Sequence, residues 1–177
     1  MEFKGFRIRI IILVFVVVLG VALSGQKLTH HHRVITPLLT GFQSVDGVEK
    51  VLLEETRIGA KIILELAEVS DLALLTGHIR KQASTLSMPH QLLIQDKSSV
   101  RLDRIYHEMH FVIEQAVVVG DFQDMAKVVA QIAELYTISH QIRVDSDYVY
   151  VQLHDDGNYY YQIISRSGAP KIRRLVS

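Results

Sequence analysis

The sequence predicts an α+β domain of roughly 150 residues held behind an N-terminal membrane segment. Three observations carry that reading. Ile10 to Leu23 is an uninterrupted apolar run of 14 residues preceded by Lys4, Arg7 and Arg9. From Val48 onward the apolar pattern alternates between a period of two and a period of 3.6. An Asp156-Gly157 pair then sits between two strand-like stretches, where a tight hairpin turn needs residues that tolerate positive φ. The expected architecture is a transmembrane or signal helix followed by one mixed or antiparallel sheet with helices packed on one face, in the order β-β-α-β-α-α-β-β-β. The chain divides accordingly into a membrane segment (1–26), a stalk (27–47), an α+β domain (48–166) and a basic flexible tail (167–177).

The apolar run is shorter than the roughly 20 residues of a full span. Extension to Phe6 and Gln26 reaches that length if Arg7 and Arg9 snorkel to the headgroups. An uncleaved single-pass anchor is the expectation, because the run is β-branched to its end with almost no polar stretch before a cleavage site. Cleavage near Ser24, at the small-x-small triplet Ala22-Leu23-Ser24, gives the alternative of a secreted domain. In both cases the preceding cations hold the N-terminus inside and place the domain outside the cytoplasm. The stalk carries His30-His31-His32, Pro37, Gly41 and Gly47 with weak periodicity.

Strands are expected at 48–56 and 60–69. Ser70 as N-cap and Asp71 as the first helical residue then start a helix whose Leu72, Leu75, Ile79 and Ala83 recur at helical spacing. Met88-Pro89 closes that element, and Gln91 to Gln95 is a short strand. Ser98 or Ser99 caps a second helix with the stripe Leu102, Ile105, Tyr106, Met109, Val112, Ile113 and Ala116. Gly120-Asp121 breaks it and starts a third with Phe122, Met125, Val128, Val129, Ile132, Leu135 and Tyr136. Residues 139–166 return to a period of two. No internal repeat is present.

Composition narrows function. Lys+Arg and Asp+Glu number 19 each. Three basic residues and one acid precede Gly25, so the remainder is slightly acidic and nucleic acid is not an expected partner. With no cysteine, disulfides, thiol catalysis and thiolate metal sites are excluded. No phosphate loop or nucleophile elbow is present, and no cofactor is expected.

Two surfaces stand out. On the second helix Asp103, His107, His110 and Glu114 share one stripe at i, i+3 and i+4 spacing, a set that can ligate a metal ion. Because the stripe lies opposite the apolar one, a solvated face is the expectation and no metal is assigned. On the last hairpin, residue 155 should oppose 158 and 153 should oppose 160. The aliphatic side then suits the core and leaves Tyr148, Tyr150, Tyr159 and Tyr161 clustered outward as an interaction surface. Arg166, Lys171, Arg173 and Arg174 read as a solvated tail. The combination points to a membrane-anchored, non-catalytic assembly domain that contacts itself or a membrane complex through the tyrosines. The alternatives are a ligand-sensing or cell-wall-binding domain using the same tyrosines, and a metal-dependent enzyme or carrier built on His107, His110 and Glu114.

Overall fold

A computed structural model describes residues 36–56, 59–86, 89–168 and 172–175, together with Phe15. The expected membrane segment and the first part of the stalk therefore lie outside the described residues, apart from Phe15. Among the described residues no helix is long and apolar enough to cross a membrane. Two compact units divide between Gly41 and Phe42, a boundary crossed by helix α1 (Thr36–Gln43). The second unit begins earlier than the expected stalk boundary, since Phe42 is fully buried.

That second unit holds the elements β1 (Val48–Thr56), β2 (Gly59–Leu66), α2 (Leu72–Ala83), β3 (His90–Gln95), α3 (Val100–Val119), α4 (Phe122–Tyr136), β4 (Ser139–Val144), β5 (Tyr148–Asp155), β6 (Asn158–Ser165) and β7 (Ile172–Arg174). The α+β class and the predicted order hold, with β7 added at the end. The strands form two sheets where one was expected. One is mixed, ordered β1-β2-β3-β7, and the other is antiparallel, ordered β4-β5-β6. In the mixed sheet β1 and β2 are antiparallel, whereas β2-β3 and β3-β7 are parallel.

Local chemistry sets the boundaries. The Asp71 side chain accepts from Leu74 N at 3.1 Å and starts α2. Ser99 does the same for α3 through Leu102 N, and Asp121 for α4 through Asp124 N. Each satisfies a helix-end donor that has no intrahelical partner. Gly120 ends α3 in the left-handed conformation at φ 88°, which costs glycine little. At the β5–β6 turn Asp156 and Gly157 both have positive φ, 47° and 72°. This turn matches the right-handed twist of the strands, and it gives the pairs Asp155↔Asn158 and Leu153↔Tyr160 that the sequence predicts.

Helices α3 and α4 bury Leu102, Ile105, Met109, Ile113, Met125, Val129 and Ala133 against Val149, Val151, Leu153 and Ile164 of the antiparallel sheet. Elsewhere Leu72, Leu75 and Ile79 of α2, Ile62 and Leu64 of β2, and Leu92 and Ile94 of β3 are also interior. Ile172 of β7 is fully buried beside them. Residues 172–174, expected in a flexible tail, are thus a strand paired to Leu92, Leu93 and Ile94.

Candidate functional site

The tyrosine row of the hairpin is interior, which corrects the expectation of an exposed contact face. Tyr148, Tyr150, Tyr159 and Tyr161 are between 0 and 6% exposed. The physical reason for Tyr159 and Tyr161 is the end of β2 and the irregular link Ala67–Ser70 that follows it, which lie across that part of the face. The Ala67 amide is taken up by Gly47 O at 2.9 Å, whereas the Ala67 and Val69 carbonyls and the Val69 amide lie beyond the strand ladder and find side-chain partners instead. Tyr159 donates its hydroxyl to Leu66 O at 2.8 Å, and Tyr161 donates to Ala67 O at 3.2 Å while accepting from Val69 N at 2.8 Å. Gln152 completes the arrangement by donating to Val69 O and accepting from Leu72 N. Tyr150 donates to Asp145, and the Arg80 guanidinium lies 4.8 Å above the Tyr148 ring. Phenylalanine would fill the same volume but leave these backbone groups unpaired. Burial raises the Tyr161 and Tyr150 hydroxyls well above the ordinary phenol value.

A sequence signal for this burial exists. From Tyr148 to Leu153, and from Tyr159 to Ile164, no charged side chain occurs on either face of the strands. A sheet with one wet face usually alternates apolar with polar residues, whereas a strand covered on both sides reads as a continuous apolar run.

On α3 the four polar residues of the predicted stripe are where a solvated face belongs. His107 and Asp103 are exposed, and His110 and Glu114 keep 39 and 47% of their side-chain surface. The structure does not bring the four together. Asp103 is drawn to the helix start, where it accepts from Ser98 Oγ and from Arg174 Nη2, each at 3.1 Å. The His107 and His110 rings lie parallel with centroids 6.4 Å apart, and His110 Nδ1 is 4.0 Å from Glu114. Among the described residues no three His, Asp or Glu side chains converge as ligands of one metal ion would.

The same face carries apolar residues that the sequence reading passed over. Val100, Phe111 and Val118 are 77, 75 and 85% exposed. At 100° per residue they fall in the same angular sector as Arg104, His107 and Glu114, opposite the buried Met109 and Ala116. Their spacing of 11 and 7 residues, with His107 and Glu114 between, is a heptad seam. The Phe111 ring meets both His107 and His110 edge-on, at 6.5 and 5.6 Å. The clue was three aliphatic or aromatic residues outside the core stripe but aligned with one another.

Elsewhere the charged groups are largely committed to the fold. Arg174 donates to both carboxylate oxygens of Asp96, at 2.8 and 3.0 Å, with its guanidinium 4.1 Å above the Tyr160 ring. Arg101 reaches Asp155 and the Tyr136 carbonyl, and Arg166 reaches the Asp145 carbonyl. An open groove bordered by Arg80, Ser84, His90, Gln91 and Arg173 lies beside β3, but Arg80 there is turned to Asp147 at 3.6 Å. No family model, curated protein or solved structure matches this chain.

Proposed function

We propose that the chain is a membrane-tethered docking domain that assembles through the solvent face of α3. The apolar segment 10–23 is its single-pass tether, with the N-terminus inside and the folded unit outside the cytoplasm. The observation that carries the docking reading is the alignment of Val100, Phe111 and Val118 in water. Scattered surface hydrophobics need no explanation, whereas a line of them along one helix face is the pattern of a helix that packs on a partner. The contact surface therefore moves from the hairpin tyrosines to α3. A sugar- or peptide-sensing domain would have used those tyrosines, and their hydroxyls are already bonded to Leu66, Ala67 and Asp145.

A photoreactive side chain placed at Phe111 of the full-length protein in its own membrane tests this reading. It should give a discrete covalent adduct, and the same group at the exposed Gln123 on α4 should not. Equal labelling from both positions, or none from Phe111, would remove the docking face. A reporter active only outside the cytoplasm, fused after Ser177, checks the topology and should be active.

A further inference from the structure

We infer that the partner on this face is a second copy of the chain, its α3 packed antiparallel to the first about a two-fold axis. The inference rests on the docking reading above and deepens it. It comes from the order of residues along the exposed seam, which is self-complementary when reversed. In an antiparallel pair centred on position 109, Val100 meets Val118, Arg104 meets Glu114 and His107 meets Phe111. Each pair recurs twice, as isologous symmetry requires. Apolar meets apolar at both ends, opposite charges meet in the next layers, and an aromatic cluster fills the centre. These six residues alternate between the two seam positions of a heptad, 100, 107 and 114 on one and 104, 111 and 118 on the other.

The parallel alternative is selected against by the same residues. It would set Arg104 on Arg104, Glu114 on Glu114 and His107 on His107, and like charges across an interface suppress a pairing. Among the described residues the ion pair of Glu114 is the long one to His110, at 4.0 Å, which leaves its carboxylate available across the seam. The contact is small beside the about 800 Å² per partner of a stable soluble complex. Tethering to one membrane compensates by raising effective concentration. A two-fold axis also keeps both N-termini at equal height along it, so both tethers can enter a single bilayer.

The absence of cysteine makes the geometry directly testable in the full-length protein in membranes. Chains carrying Val100→Cys and Val118→Cys are co-expressed and oxidised. The mixture should give a disulfide-linked dimer. Val100→Cys alone should give little, because in the antiparallel pair its two copies lie about 27 Å apart along the helix, 18 residues at about 1.5 Å each. A disulfide tolerates Cα separations only up to about 7 Å. Introducing Arg104→Glu into both cysteine-bearing chains should lower the mixed adduct about tenfold, and adding Glu114→Arg to both should restore it. Efficient linkage of Val100→Cys to itself, no adduct from the mixture, or no rescue by the second charge reversal would each overturn the proposal. The photoreactive group at Phe111 separates the two levels of the reading. An adduct of twice the chain's mass supports the second copy. An adduct with a different protein alone removes the second copy and leaves the docking face standing. No adduct removes both.

Discussion

Helix α3 and the β5–β6 hairpin each carry two rows of side chains, and the rows end in different places. In α3 one row, from Leu102 to Ala116, is core, and the opposite one stays in water with Val100, Phe111 and Val118 among its charges. In the hairpin both rows are interior: Val149, Val151 and Leu153 lie under the helices, while on the other face Tyr161 bonds the β2–α2 link and Tyr148 lies under Arg80 of α2. Periodicity states which residues share a face, while the composition of each face states what covers it. A strand face without charge is the pattern of a permanent cover, whereas the α3 face that mixes charge with aligned hydrophobics stays in water, which is what the proposed docking reading uses.

The comparison predicts a graded set of effects. Tyr161→Ala should be the most damaging. It empties a fully buried aromatic site and strands the amide and carbonyl of the β2–α2 link, costing about 3–5 kcal/mol. The near-UV signal of a thermal melt should lose its cooperative transition, and a melt resembling wild type would put the tyrosines back on the surface. Asp96→Ala leaves the Tyr161 amide without its acceptor and the Arg174 guanidinium with only the partly exposed Asp103. A cost of about 3 kcal/mol is expected, read as a lower urea midpoint. On the aliphatic face Val151→Ala should cost about 2 kcal/mol, for two methyl groups and the cavity they leave. If it equals Tyr161→Ala, the two faces are not distinguished by size of side chain alone.

Asp145 gives a smaller, pH-dependent effect. Burial opposes its charge, but the amides of Asp147 and Tyr148, the Tyr150 hydroxyl and the nearby Arg80 outweigh that and hold its carboxyl below the ordinary value. A depressed carboxyl contributes stability above its unfolded pKa, near 3.9, and loses it as pH falls through the folded value. The gap between wild type and Asp145→Asn should therefore be widest at neutral pH and close toward pH 3 on paired melts. Phe111→Asp should move stability least, within about 0.5 kcal/mol, while abolishing association through α3. Unfolding by that change would place Phe111 in the core.

Most elements were legible because their signals are local. The caps Ser99 and Asp121, the Gly120 break and the Asp156-Gly157 turn each act within a few residues, and the cap of α2 fell one residue past the expected Ser70, at Asp71. The register of β5 and β6 followed from the turn alone. Pairing between distant strands was not legible, since nothing in Val48–Thr56 or His90–Gln95 states which neighbour it will take. One sheet was therefore expected where there are two. The three-residue β7 is too short for any period, and its Arg173-Arg174 reads as tail until Asp96 is seen beside it. The candidate site was half legible. The i, i+3 and i+4 spacing of acids and histidines marks the polar stripe of α3, whereas Val100, Phe111 and Val118 recur too sparsely on that face to register as a second apolar stripe.

Strand β7 bears on the timing of folding. Its partner β3 is complete at Gln95, yet the buried pairing of Arg174 with Asp96 closes across 78 residues. Until residues 172–174 have been made, β3 keeps an open parallel edge and Asp96 has no cation. Loops of that length form slowly. A sheet whose closing strand arrives so late has that delay written into its topology.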